Sequence, residues 1–353
     1  MIAIEQMLQD AISMEASDIF LVAGHPYAFK IKGEIQSIGT ERLMPDDTAM
    51  LIKEIYSYAL QNQYEEFLKK KDDDFSFSIP NIGRFRCNVY LQRNSQAAVL
   101  RVVRFELPDP VELQIPEVIT NLSRVKKGMI LVSGPAGCGK STTLACIIDK
   151  INENRNVHII TIEDPIEYLH SHKRSIVSQR EVYHDTQDYL SALRSALREA
   201  PEVILVGEMR DLETINTAVT AAETGHLILS TLHTMGAANT IDRMIDVFPP
   251  SQQQQIRVQL SMTLDAVISE QLVPGIDGTI IPVFEIMIVN PAIRTQIREG
   301  KIHQLENSMI AGKDLGMITM DDSLYALYKE GKITKETALM YASNSERMRK
   351  KIS

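Results

Sequence analysis

Along the first hundred residues the apolar positions change their period several times. Positions 1, 4, 7, 8, 11 and 12 recur at helical spacing and predict a helix over 1–14. Asp18–Val22 and Tyr27–Ile31 flank Gly24-His25-Pro26, a turn signal, and predict a hairpin. One long helix is predicted over 46–70, opened by Pro45 and two aspartates that suit a helix N-terminus. Three strand-like runs follow, Phe75–Ile79, Phe85–Leu91 and Ala97–Val103. Helices against an antiparallel sheet make a small α+β domain over about 1–105.

Residues 106–116 contain Pro108, Pro110 and Pro116, have no clear period, and read as a linker. Beyond it, over 117–353, the texture changes. Strand-like runs (Met129–Val132, Val157–Ile162, Val203–Val206, Leu227–Leu229) alternate with helical stretches (Ser141–Ile151, Thr186–Glu199, Leu212–Ala222). This βαβ alternation predicts an α/β fold with a mostly parallel sheet. The runs are apolar throughout, as strands buried on both faces should be. From about Pro250 onward the pattern is mainly helical, so a helical C-terminal part is expected. The run Lys69-Lys70-Lys71-Asp72-Asp73-Asp74 neutralises itself and reads as a solvated helix end. The methionines of Met309–Met320 read as packing.

The chain has 353 residues, with 46 acidic against 37 basic side chains, a net charge of −9 that argues against non-specific nucleic-acid binding. It leaves room for a small basic site that takes a small anion. Apolar residues at 44% and charged residues at 24% fit an ordered globular chain. Cys87, Cys138 and Cys146 are too few and wrongly spaced for a zinc ribbon or a disulfide framework, so a reducing compartment is expected. No apolar run reaches ~18 residues. Thr279–Val289 is the most hydrophobic stretch, and Pro282 and Glu285 interrupt it. The N-terminus lacks the basic residues of a signal peptide, so a soluble, intracellular protein without membrane insertion is expected.

The strongest chemical signal is Gly134-Pro135-Ala136-Gly137-Cys138-Gly139-Lys140-Ser141, which fits G-x-x-x-x-G-K-[ST] after an apolar strand and before a helix. Its glycines let backbone N–H groups turn inward around phosphates, and the helix N-terminus adds partial positive charge. Lys140 would neutralise the β- and γ-phosphates, and the Ser141 hydroxyl would ligate Mg²⁺. The motif predicts binding of a nucleoside triphosphate. Glu163 and Asp164 end one apolar strand and Glu208 ends another, where open α/β sheets form their sites. One carboxylate would position the attacking water, and the other would sit in the Mg²⁺ shell. His226 and His233 bracket a further strand, with His233 at the ligand-facing end and His226 at the opposite one.

The order GPAGCGKSTT (134–143), ITIEDPIEY (160–168), VILVGEMRDLET (203–214), TGHLILSTLHT (224–234) and IDRMIDVFP (241–249) resembles the secretion-type traffic ATPases. These are the hexameric motors of type IV pili and type II secretion. The short chain, the lack of a four-cysteine zinc insertion and Ala292-Ile-Arg-Thr-Gln-Ile-Arg-Glu299 resemble the branch that drives pilus retraction. The resemblance implies a PAS-like N-terminal domain and a RecA-like ATPase domain. It implies ATP and Mg²⁺ held by residues 134–142, including Thr142, with Glu208 reaching the metal through water. Glu163 matches the catalytic glutamate, Glu208 the Walker B acid, and His226 and His233 the His box. Arg86 and Arg101 are the favoured N-terminal arginines for the γ-phosphate, ahead of Arg84 and Arg104. Ala136 and Cys138 replace a usual Thr and Ser, and Cys138 suggests thiol sensitivity. The implied partners are five further copies in a homohexamer, an inner-membrane platform protein and the assembly ATPase. The implied location is cytoplasmic, at the inner face of the cytoplasmic membrane. An assembly or secretion ATPase of the same superfamily, a RecA-like nucleic-acid motor and a nucleotide-sensing scaffold are the alternatives.

Overall fold

The computed structural model describes residues 3–31, 33–59, 64–103, 107 and 109–352. Arg104 and the linker positions Glu106 and Pro108 lie outside them, as do the first two positions of the predicted N-terminal helix. The chain divides into two compact units, Met1–Glu106 with Glu167–Leu169, and Leu107–Ile166 with His170–Ser353.

The first unit holds helices α1 (Ile4–Ser13), α2 (Pro45–Tyr58) and α3 (Tyr64–Lys70). Its strands are β1 (Asp18–Leu21), β2 (Ala28–Ile31), β3 (Glu34–Ser37), β4 (Asp72–Ile79), β5 (Gly83–Gln92) and β6 (Ser95–Val103). They form one antiparallel sheet in the order β3-β2-β1-β6-β5-β4. The predicted hairpin is present as β1 and β2. Alternation along β5 buries Phe85 and Cys87 and turns Arg84 and Arg86 outward, the period-2 signature of a half-covered sheet. Ile4, Met7 and Leu8 of α1 and Leu51, Ile52 and Ile55 of α2 join Phe29, Phe75, Phe77 and Phe85 in one core.

Two expectations for this unit change. The helix expected over 46–70 is two helices, because α2 ends where Ala59 turns to an extended backbone (ψ 133°). The charge run after it is not merely a solvated helix end. Lys69 and Lys70 close α3, while the aspartates open β4. There Asp73 accepts a hydrogen bond from the Tyr56 hydroxyl at 2.8 Å, and Asp74 receives Arg86.

The second unit begins with α4 (Glu117–Thr120), β7 (Gly128–Ser133), α5 (Lys140–Asn154), β8 (His158–Glu163), β9 (Ile176–Glu181) and α6 (Tyr189–Ala196). It continues with β10 (Val203–Glu208), α7 (Leu212–Glu223), β11 (Leu227–Leu232), α8 (Ala237–Asp246), α9 (Pro250–Thr263), β12 (Leu264–Pro274) and β13 (Ile280–Ile288). It closes with α10 (Pro291–Arg298), α11 (Leu305–Ala311), α12 (Met320–Lys329), α13 (Lys335–Tyr341) and α14 (Ser345–Ile352). The sheet order is β13-β12-β7-β11-β10-β8-β9, parallel throughout except for β13, which pairs antiparallel with β12. Met129 and Leu131 enter the core on one face of the sheet, and Ile130 and Val132 that on the other. That two-sided burial explains why β7 reads as an unbroken apolar run.

The C-terminal part is mainly helical, as expected, but it also holds β12 and β13, which extend the sheet past β7. Ser269, Glu270 and Gln271 are all buried in β12, so a polar triplet stands where the apolar pattern of a central strand would be. The helix expected over 186–199 is shorter at both ends. Asp188 caps it by accepting from Ser191 N at 2.7 Å, and regular helix ends at Ala196. Met309, Met317 and Met320 are buried in cores, in keeping with packing.

Two side chains tie this unit together. Arg294 of α10 donates to the carbonyls of Ser261 and Met262, each at 2.9 Å, and to Asp265 at 3.0 Å. Glu285 of β13 accepts from Ala237 N at 2.7 Å and from Met320 N at 3.1 Å, capping α8 and α12 together. Among the described residues, no helix is long and apolar enough to cross a membrane.

Candidate active site

The C-terminal ends of β7, β11, β10 and β8 lie along one edge of the parallel sheet. The loop after β7 is residues 134–139, and α5 opens at Lys140. Gly134 has φ +144°, and a Cβ there would stand 2.2 Å from the Glu270 carbonyl and 2.7 Å from the Cys138 sulfur. Gly139, at φ +107°, forms the N-cap of α5 and supplies no side-chain cap. A helix start without a side-chain cap is suited to an external anion. Pro135, Ala136 and Gly137 are exposed at the crown of the loop. Lys140 folds back over it, donating to the Gly134 carbonyl at 3.0 Å and the Pro135 carbonyl at 2.7 Å. Ser141 and Thr142 are half-buried in the first turn of α5. The Cys138 thiol is 4% exposed, and burial pushes it up to about 11. Burial and the raised thiol both work against the thiol sensitivity that the sequence suggests.

The acids arrive on neighbouring strands. Glu163 ends β8, where its Oε1 accepts from the Thr161 hydroxyl at 2.6 Å and Gln179 at 3.3 Å. Glu208 ends β10 beyond a shift of register at Gly207. Thr231 and Ser230 hold that irregular stretch by donating to the Gly207 and Val206 carbonyls, each at 2.6 Å. Glu208 pairs with Arg210 at 2.7 Å, and His233 Nε2 lies 3.5 Å from the same oxygen. The structure thus brings Glu208 and His233 together at the edge that carries the loop. Tyr189 reaches the same place. Its hydroxyl would be 3.0 Å from a Cβ on Gly207, and burial with the charges of Glu208, Asp164 and Glu163 pushes the phenol well up.

His226 is not brought there. It precedes β11 at the opposite end, roughly 20 Å away along six residues of strand, with its Nδ1 3.0 Å from the Ala221 carbonyl. In this chain it sits at the C-terminus of α7, away from the loop. Arg86 and Arg101 belong to the first unit. They stand directly opposite each other on β5 and β6, and each is held by an aspartate. Arg86 grips Asp74 with two bonds, 3.0 and 2.7 Å, and Arg101 meets Asp18 at 3.2 Å.

Sequence reasoning did not single out Arg210, Tyr189 or Glu270. Arg210 had a local signal, standing two residues beyond a strand-end acid. Glu270 had none. Beside the loop, a cavity of about 310 Å³ is lined by Leu113, Ile115, Thr142, Leu272, Pro282 and Phe284. Its mainly apolar wall and its size suit one planar ring system. No group of three or more His, Cys, Asp or Glu able to hold a metal occurs among the described residues. Ser141 and Glu208 supply a hydroxyl and a carboxylate, the oxygen donors that suit a Mg²⁺ ion keeping most of its waters.

The profile of the family described as "Type II/IV secretion system protein" matches residues 1–341. The "Type IV pilus retractation ATPase PilT" of Pseudomonas aeruginosa is 45% identical over 335 residues, covering 95% of this chain and 96% of that protein. A "Twitching motility protein" of Neisseria gonorrhoeae is 44% identical over 320 residues, covering 90% and 85%. The crystal structure of the pilus retraction motor PilT with bound ADP superposes with a TM-score of 0.91 at 46% identity, covering 99% and 100%.

Proposed function

Because this chain belongs to the type II/IV secretion system protein family and is an ATPase of that family, we propose that it is the motor of type IV pilus retraction. One observation carries the reading. A single sheet edge presents the phosphate loop, Glu163, Glu208 and His233 together, with half-buried Ser141 and Thr142 behind the loop. ATP would seat its phosphates on the N–H groups of residues 134–142 and its base in the apolar cavity. Bound Mg²⁺ would supply charge neutralisation at the β- and γ-phosphates. Lys140 would exchange its two loop carbonyls for phosphate oxygens. Glu163 is the group that orients the attacking water. Glu208, reached through water, and Ser141 face the metal, while His233 reports on the γ-phosphate through Glu208.

Likeness to the pilus retraction motor supports the rest of the proposal. The first unit is of the PAS-like kind and the second RecA-like. The chain assembles as a homohexamer at the cytoplasmic face of the inner membrane. There it docks on the platform protein of the pilus machine and works against the assembly ATPase. Arg86 and Arg101 leave their aspartates to meet a γ-phosphate, with an arginine at the transition state contributing ~10³–10⁵ in rate.

The test joins chemistry to phenotype. Glu163→Gln is expected to keep ATP affinity and lose ~10²–10⁴ in kcat. In the deletion strain it is expected to leave pili assembled and unretracted, as the deletion itself does. Wild-type turnover by this variant, or absence of pili in the deletion strain, would overturn the assignment.

A further inference from the structure

Glu270 is a buried carboxylate on the wrong side of a phosphate site. It stands on β12 one residue past Ser269, which is in register with Ser133 at the end of β7, so it lies level with Gly134. It is 2% exposed. Its Oε2 accepts from the Thr143 hydroxyl in the first turn of α5 at 2.6 Å. Among the described residues its Oε1 has no hydrogen-bond partner, and it lies 2.8 Å from the place a Cβ would occupy on Gly139. Its backbone carbonyl presses on Gly134. The loop therefore rests on this one residue at both of its glycine ends.

The groups that face it can be named element by element. Lys140, Thr143 and Cys146 face it from α5, Cys138 from the loop, and apolar Phe284 directly opposite on β13. Glu112 stands on the rim of the adjoining cavity. Lys140 is the one cation in this set, and its ammonium is already engaged with two loop carbonyls.

We propose that Glu270 is the proton-linked positioning residue of the nucleotide site: it braces the loop from below and takes up a proton when a polyphosphate seats above. The proposal rests on the nucleotide-binding reading of the loop. A polyphosphate places negative charge across one thin loop from Glu270 and draws Lys140 away, so both changes disfavour a second anion there. In the free protein, burial pushes the Glu270 carboxyl up to about 7, against the Thr143 hydrogen bond, the Lys140 charge and the Cys138 thiol. The sign follows. Below that value the carboxyl is neutral with or without nucleotide, and affinity is greatest. As pH rises through it, the free protein loses a proton that the complex must regain. Affinity then falls by up to about tenfold per pH unit until the bound-state value is passed.

The experiment is calorimetric titration of the full-length chain with Mg-ADP from pH 6 to 8.5, in buffers of different ionisation enthalpy. Wild type is expected to weaken at least fivefold more than Glu270→Gln between pH 6.5 and 8. It is also expected to take up a substantial fraction of a proton at pH 7.5, which the variant does not. Thr143→Val keeps the carboxylate and removes the donor that favours its charge, so the midpoint of the profile should move to higher pH. Identical profiles and proton uptake for wild type and Glu270→Gln would overturn the proposal, as would an unmoved midpoint in Thr143→Val. Failure of every form to bind Mg-ADP at any pH would instead remove the nucleotide reading beneath it.

Discussion

Gly134 and Gly137 sit in the same loop at positive φ, +144° and +75°, yet only Gly134 is crowded. A methyl group on Gly137 would meet open space, so Gly137→Ala carries the conformational penalty alone, ~1–2 kcal/mol. Gly134→Ala adds a collision with the backbone of β12, which cannot swing aside as a side chain can. We expect Gly137→Ala to lower the melting temperature slightly and keep Mg-ADP binding. Gly134→Ala should abolish binding, and the two are separable by thermal unfolding with and without nucleotide. This backbone demand is why the loop was legible in the sequence: residues needed for their conformation recur at fixed spacing. Glu163, Glu208 and His233 were legible too, as polar residues that end apolar strands. Glu270 was not, because its meaning is a contact with Thr143 across 127 positions, which no local pattern records.

At the scale of elements, the same contrast separates the strands that were foreseen from those that were not. β7, β8, β10 and β11 are covered on both faces and declare themselves as apolar runs. β9 is an edge strand with the mixed sequence Ile-Val-Ser-Gln-Arg-Glu, and β12 carries its buried polar triplet. Pro282 and Glu285 disguised β13, and tertiary contacts supply their reasons. The latch from α10 makes a matching prediction. Arg294→Ala leaves the Ser261 and Met262 carbonyls and Asp265 without their donor, and should destabilise the unit by ~2 kcal/mol. Burial already holds the Asp265 carboxyl above its ordinary range, and Arg294 pulls it back. Without the arginine, ionising Asp265 costs the folded state more. The loss should shrink as pH falls towards 4 and the carboxyl takes up its proton, and be full at pH 8. Thermal unfolding at both pH values checks this, and equal losses would contradict it.

At the scale of the whole molecule, the two units have separate cores: one around Phe85 and Phe29, the others on the two faces of the parallel sheet. Phe85→Ala removes a fully buried ring and should cost the first unit ~3–5 kcal/mol. In scanning calorimetry, the transition that Phe85→Ala lowers should be distinct from the one that Mg-ADP raises; a single transition moved by both would show the cores to be one cooperative body. The expectation of two domains drawn from length and the proline stretch is therefore open to direct test. Glu285 adds a mechanical consequence. One short carboxylate holds the starts of α8 and α12, each by a single bond of about 3 Å, so neither helix can travel an ångström without breaking its bond or towing the other. The segment that follows His233 and the C-terminal helical cluster are thereby geared together.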